Sequence, residues 1–317
     1  MKYRNLGRTG LDIAPIMLGG NVFGWTIDKT RSFDILDAFV DAGFNAIDTA
    51  DMYSRWIPGH EGGESETIIG DWLTTRKCRD KVVIATKFGL EMGDGMKGLG
   101  KAYMTKAVDA CLQRLKTDYI DLFQAHFDDP ETPVQETMEG FDALIRSGKV
   151  RAIGASNFTP GRLKESLETS DRLGLARYGT YQPPYNLCDR AGYESELAPL
   201  CEREGLAVIT YYSLASGFLT GKYRSLADLE GTARAHTNKK YLNPRGERIL
   251  SVLSEQATKH SATMAQIALA WIMTRPAVAA PIVSATSIEQ LNDILGAVDV
   301  RLAQDDLTQL DAASRND

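Results

Sequence analysis

The sequence predicts an α/β fold, a closed (β/α)8 TIM barrel formed as one domain over residues 1–317. Three observations predict it. Eight short apolar runs alternate with amphipathic stretches, the pattern of a parallel sheet, and eight is the number that closes such a barrel. The turns leading into strands are short and carry glycine, whereas those that follow are long and chemically richer, which points to one working face. No linker or low-complexity segment divides the chain, and 317 residues with 43% hydrophobic content can bury a large core.

The elements follow in order. Residues 2–13 read as a hairpin with Arg8-Thr9-Gly10 at its turn. Strand-like runs then occur at 14–20, 44–50, 81–87, 119–126, 150–157, 178–185, 206–212 and 278–285. Helical periodicity lies between them, beginning at 32–42, where Phe33, Ile35, Leu36 and Phe39 share a side. It recurs at 64–76, 102–116, 134–147, 160–174, 190–204 and 264–275. Thr159-Pro160 reads as an N-cap followed by proline at the first helical position. Gly43, Gly148 and Gly205 close the turns before strands two, five and seven. Residues 305–314 read as a last helix on the outside, while 51–63, 88–100 and 213–243 read as the long loops of the working face.

Composition excludes several classes. A net charge of −6 argues against a general nucleic-acid binder. No apolar run approaches the ~20 residues that cross a bilayer, and the start MKYRNLGRTGLDI has no long apolar stretch of a secretion signal. A cytoplasmic location is expected, with Cys78, Cys111, Cys188 and Cys201 reduced and mostly buried. Their spacing is not that of a metal site, no HExxH occurs, and no metal is expected.

Glycine-rich loops offer two weak matches. The first strand runs into Gly19-Gly20-Asn21, where a Rossmann fingerprint would need glycine at Asn21. Gly93-Asp94-Gly95-Met96-Lys97-Gly98 fits that fingerprint nominally but falls several residues beyond its strand. The overlapping GMKGLGK has Ala102 where a P-loop needs a hydroxyl. The segment reads as a flexible glycine-rich loop.

Four polar residues carry more information. Asp48, Lys87 and His126 each close an apolar run, and Tyr53 follows the first of them. Three strands therefore bring an acid, a phenol, an ammonium and an imidazole to one edge of the sheet, the edge that bears the active site in a parallel barrel. A phenol is a weak acid at its ordinary pKa of ~10; an adjacent ammonium would favour the phenolate and lower it. A carboxylate would hold the ammonium, and an imidazole would orient a substrate oxygen. The set suits protonation of a carbonyl as hydride arrives.

With those residues go DTADMY (48–53), ATK (85–87), DLFQAH (121–126), GASNF (154–158), QPPYNL (182–187), LASGFLTGKY (214–223) and SATSIEQL (284–291). Together and in this order they resemble the aldo-keto reductases across essentially the whole chain. The resemblance implies a (β/α)8 barrel that uses NADPH, or sometimes NADH, to reduce aldehydes and ketones, with Asp48, Tyr53, Lys87 and His126 as a catalytic tetrad. It implies that Ser156, Asn157 and Gln182 hold the nicotinamide carboxamide and that Tyr211 stacks on its ring. It further implies that Leu214, Ser216, Gly217 and Lys222 line the pyrophosphate. Gly20, Asn21, Asp48, Ser284, Thr286 and Gln290 complete the expected cofactor contacts. Some members of the family resemble regulatory subunits, so a cofactor-binding or redox-sensing barrel with little turnover is the alternative reading.

The chain departs from the family at Tyr211-Tyr212-Ser213, where a proline is common, and at Ser284-Ala285-Thr286, where a cation often meets the 2′-phosphate. Ile294 stands where an adenine-facing asparagine is expected. Against this, 222–248 holds Lys222, Arg224, Arg234, Lys239, Lys240, Arg245 and Arg248 with few acids, an excess that suits a phosphate-rich ligand and favours NADP over NAD, Arg245 among the contacts; a solvated loop would also account for it. Trp25, Trp56 and Phe127 lie on loops beside the tetrad and are expected to line a pocket for a small-molecule carbonyl substrate. Small aldehydes, sugars and aromatic carbonyls all stay open, as does the oligomeric state; no nucleic acid or membrane is expected as partner.

Overall fold

The computed structural model describes residues 2–232 and 235–315. β1 (Arg4–Asn5) and β2 (Asp12–Ile13) pair antiparallel as the expected hairpin. Leu6 and Ile13, both buried, join the side chains inside the barrel, so the hairpin plugs its N-terminal end. The Arg4 guanidinium fastens it there, donating to the carbonyls of Val278 (3.1 Å) and Met273 (3.1 Å).

The barrel strands are β3 (Met17–Gly19), β4 (Ala46–Asp48), β5 (Val83–Phe88), β6 (Ile120–Ala125), β7 (Val150–Ser156), β8 (Thr180–Gln182), β9 (Ala207–Thr210) and β10 (Val278–Val283). They close in sequence order, all parallel, with β10 returning to β3 through Ile282 opposite Met17. Seven each fall inside one of the eight apolar runs, and β5 extends one residue beyond its run, to Phe88. Side chains alternate in and out along each strand. Met17, Ala46, Val83, Ala85, Leu122, Ala152, Ile209 and Ala280 fill the interior, while Ile47, Ile84, Phe123, Ile153 and Val208 face the helices.

The helices between them are α1 (Lys29–Asp41), α2 (Glu64–Arg76), α3 (Lys101–Leu115), α4 (Val134–Arg146), α5 (Pro160–Leu173), α6 (Ala191–Glu194), α7 (Leu197–Glu204), α8 (Ala235–Asn238), α9 (Pro244–His260), α10 (Met264–Met273), α11 (Ile288–Leu295) and α12 (Gln304–Ala313). Thr159 caps α5 by accepting from the Arg162 N–H, as expected from Thr159-Pro160. α2 and α3 cross closely at Gly70, where a Cβ would run into the Arg114 backbone.

Two expectations change. The continuous helix over 190–204 is two helices, α6 and α7. Pro199 lacks an N–H, and its ring would collide with the Ser195 carbonyl four residues back, so the break falls at Ser195-Glu196. The 17-residue α9 was not expected at all. Its start repeats the Thr159-Pro160 device: Asn243 accepts from the Gly246 N–H, and Pro244 takes the first turn. Its apolar face, Ile249, Leu250, Leu253 and Ala257, was hidden behind the cations that precede it. Among the described residues no helix is long and apolar enough to cross a membrane, and all four cysteines are free and buried.

Candidate active site

Strand alternation builds the site. Counting inward positions from the core, Ala46 leads to Asp48, Ala85 to Lys87, Leu122 to Gln124 and His126, Ala152 to Ser156, Thr180 to Gln182, and Ile209 to Tyr211. The C-terminal ends of six neighbouring strands thus point polar groups at one place.

The four sequence-predicted residues meet there. Lys87 is 1% exposed. Its Nζ donates to Asp48 Oδ2 at 2.6 Å, to the Thr49 carbonyl at 2.8 Å and to the Tyr53 hydroxyl at 3.0 Å. The three N–H groups of an ammonium are thereby used. The Tyr53 hydroxyl itself leans on Asp48 Oδ2 at 3.4 Å, and the Tyr53 and His126 rings stand edge to face at 6.1 Å. His126 Nδ1 is buried without a partner.

The charges are set mainly by burial. Burial lowers the Lys87 ammonium from its ordinary value, opposed by Asp48. Burial, followed by the Lys87 charge, pushes His126 well below its ordinary range, so the imidazole is neutral. Burial, followed by the Asp48 carboxylate, pushes the Tyr53 phenol well above its ordinary value. This corrects the expectation that Lys87 would lower Tyr53: the same carboxylate that holds the ammonium also opposes the phenolate, and desolvation adds to it. The phenol therefore keeps its proton through the neutral range, as a proton donor must.

Around the tetrad lies a rigid polar ring. Gln182 Nε2 donates to Asp48 Oδ1 (3.0 Å), and Ser156 Oγ to the Gln182 carbonyl (2.8 Å). Asn157 Nδ2 donates to the His126 carbonyl (3.0 Å) and to Ser156 Oγ (2.9 Å), while its Oδ1 accepts from the Tyr211 hydroxyl (2.7 Å). The Tyr211 ring is fixed at both ends, by backbone and by Asn157. Ser213, in place of proline, bonds the Thr210 carbonyl at 3.0 Å and so keeps the turn closed.

From this ring a cleft of ≈ 850 Å³ runs outward. Its walls include Asn21, Leu214, Ser216, Gly217, Lys222, Ser284, Thr286 and Gln290, as anticipated. Ser216 and Gly217 have positive φ (56° and 92°), which turns backbone into the cleft where a side chain would block it. Amides and hydroxyls at one end, an aromatic face beside them and an open glycine-bearing turn with an ammonium beyond fit an amide-bearing ring followed by a phosphate chain. A nicotinamide dinucleotide has that chemistry.

Other expectations are corrected. Gly20 does not line the cleft; Gly19 does, and the Gly20 carbonyl is taken by Ser65 Oγ (2.7 Å). Arg245 lies away from the cleft: its guanidinium is spent on the carbonyls of Cys188 (2.8 Å), Ser314 (2.6 Å) and Arg315 (2.9 Å), clamping the exposed carbonyl end of α12. Arg248 does the same at Ala313, Lys240 pairs with Asp189, and Arg234 lies outside the described residues. Of the cationic run only Lys222 reaches the cleft among the described residues.

At the substrate mouth, Trp56 and Phe127 line the cleft; Trp25 stands behind Trp56, edge to face at 5.3 Å. Sequence reasoning missed Tyr212, 49% exposed and held at φ 53°, a strained value for an aromatic residue, with its carbonyl anchored by Asn186 Nδ2 (3.0 Å). It also missed Met52, Leu90 and, at the far end, Asp293. Strand alternation from Tyr211 would turn Tyr212 outward, and only the positive φ brings it to the cleft; nothing local marks the others. The glycine loop 93–98 is not part of the wall, and Asp129 pins its end by accepting from the Leu99 N–H at 2.9 Å.

Comparison with known proteins agrees with this geometry. The sequence profile of the Aldo/keto reductase family matches residues 15–315. The chain is 35% identical over 318 residues to the uncharacterized oxidoreductase YrpG of Bacillus subtilis (strain 168), covering 98% of this chain and 95% of that protein. It is 34% identical to the aldo-keto reductase YhdN of the same organism over 87% of this chain and 82% of that one. It is also 33% identical to a probable voltage-gated potassium channel subunit beta of Arabidopsis thaliana, over 95% and 92%. With its sequence matched almost from end to end and a barrel whose open face carries the polar ring described above, the chain belongs to the aldo/keto reductase family and is an NAD(P)-dependent oxidoreductase acting on carbonyl groups.

Proposed function

We propose that the protein, a single domain over residues 1–317 working in the cytoplasm, reduces an aldehyde or ketone to the alcohol with NADPH as the favoured cofactor. The observation that carries the reading is the 3.0 Å bond from Lys87 Nζ to the Tyr53 hydroxyl inside a buried pair with Asp48. When bound, the nicotinamide supplies hydride to the carbonyl carbon. Tyr53 gives its proton to the carbonyl oxygen as negative charge develops there, and water restores that proton afterwards. Lys87 stabilises the phenolate left behind, and Asp48 holds Lys87 in place. His126, neutral and on the cleft wall, orients the carbonyl oxygen. Ser156, Asn157 and Gln182 seat the carboxamide, and Tyr211 covers the ring. Trp56, Phe127 and Tyr212 receive the substrate.

Lys222 offers a cation to the cofactor's pyrophosphate. It lies over the Tyr223 ring at 4.9 Å and forms no ion pair among the described residues. A charge-assisted bond to phosphate is worth about 1.5–3 kcal/mol, roughly tenfold or more in affinity. Lys222→Ala is expected to raise the Michaelis constants for NADPH and NADH alike, about tenfold, because the pyrophosphate is common to both. A variant that weakens neither contradicts the pyrophosphate contact, and a wild-type enzyme that prefers NADH contradicts the NADPH preference.

A screen of aliphatic, aromatic and sugar carbonyls by NADPH consumption tests the activity. A second reading, a cofactor-bound barrel with little turnover that serves a partner protein, is favoured by the plant relative named as a channel subunit. Tight NADPH binding with no turnover on any carbonyl would support it.

A further inference from the structure

Lys87 does not depend on Asp48 alone for its position. One of its three bonds goes to the Thr49 carbonyl, so the ends of β4 and β5 must keep their relative placement. The first turn of α2 holds those ends. Ser65 Oγ lies 2.8 Å from Thr49 Oγ1 and donates to the Gly20 carbonyl at 2.7 Å. The next residue, Glu66, is fully buried (0% exposed). Its Oε1 accepts from Thr86 Oγ1 at 2.5 Å, and its Oε2 from Arg114 Nε at 2.6 Å. Thr86 immediately precedes Lys87. A strand alternates, so the outward bond of Thr86 to Glu66 and the inward bonds of Lys87 are set by the same few backbone dihedrals. Glycines at Gly63 and Gly70 let α3 approach closely enough for Arg114 to grip Glu66.

We infer that Glu66 is a positioning residue for the Lys87–Tyr53 proton-transfer pair, acting through Thr86. The inference rests on the proposed role of that pair. Glu66 also shares with Asp48 the work of keeping Lys87 charged against burial. The groups facing Lys87 are Asp48 on β4, Asp51 and Tyr53 in the loop after it, and His126 beyond β6. Those facing Glu66 are Asp51 from that loop and Arg114 and Cys111 from α3.

The test uses the full chain with NADPH and 4-nitrobenzaldehyde. Thr86→Val keeps the shape and removes the donor; kcat is expected to fall about 10- to 100-fold, the cost of a small misplacement of a reacting group, while the NADPH dissociation constant, read by fluorescence titration, stays put. Thr86→Ser restores the donor and is expected to restore kcat. Glu66→Gln removes a negative charge that favours the Lys87 ammonium; Lys87 then loses its proton more readily, so the alkaline limb of the kcat profile moves to lower pH. Wild-type kcat in Thr86→Val overturns the inference, as does a loss that Thr86→Ser does not rescue or an alkaline limb that Glu66→Gln leaves in place. If Glu66→Gln does not fold, the Thr86 pair decides alone. Tyr53→Phe, run alongside, separates the failures: full turnover there removes the proposed role of the pair itself, whereas an inactive Tyr53→Phe beside a fully active Thr86→Val removes only the part given to Glu66.

Discussion

Tyr53→Phe is expected to lower kcat by about 10²–10⁴-fold, the usual contribution of a positioned general acid, while NADPH binding is unchanged. The reasoning is geometric. The phenol ring packs against Trp56 (6.2 Å) and His126 (6.1 Å), and phenylalanine keeps those contacts. What disappears is the hydroxyl that accepts from Lys87 and carries the proton held well above its ordinary pKa by burial and Asp48. Because that proton stays in place through neutral pH, wild-type reduction should be flat there and fall only in alkali. Turnover near wild type in the variant would remove Tyr53 from the chemistry.

Lys87→Met should be nearly as damaging to turnover and should also destabilise the fold. Lys87 and Asp48 are each 1% exposed and bonded at 2.6 Å. Removing the ammonium leaves a buried carboxylate with no cation, a loss of ~3–5 kcal/mol for broken buried pairs. Thermal melts of Lys87→Met at neutral pH should therefore fall well below those of wild type. Adding Asp48→Asn should recover most of the stability and none of the activity. A single variant as stable as wild type at pH 8 would contradict the buried pair.

Much of this was legible in the sequence, for identifiable reasons. A strand buried on both faces must be apolar, so a polar residue at its end stands out; that is how Asp48, Lys87 and His126 declared themselves. Ser156, Gln182 and Tyr211 were implied by the resemblance to the aldo-keto reductases, and strand alternation is the physical reason they reach the same spot. Residues whose partners are distant in sequence were less legible. Arg245 sits in a cation-rich run, and local charge suggested phosphate; the carbonyls it serves belong to Ser314 and Arg315, some seventy positions on. Glu66 and Thr86 looked like ordinary helix and strand residues because their bond joins two elements. The direction of the Tyr53 shift depended on burial, which pairwise reasoning about Lys87 left out. α9 was less legible because the cations at its start mask its apolar face, although the Asn243-Pro244 cap marks where it begins.

The most direct test of the central claim follows the hydrogen. NADPH deuterated at both C4 positions is mixed with the full chain and an aromatic aldehyde, and the alcohol is weighed by mass spectrometry. One deuterium is expected on the carbinol carbon with wild type, and almost no alcohol with Tyr53→Phe. Deuterium-free alcohol, or equal labelled product from both proteins, would contradict it.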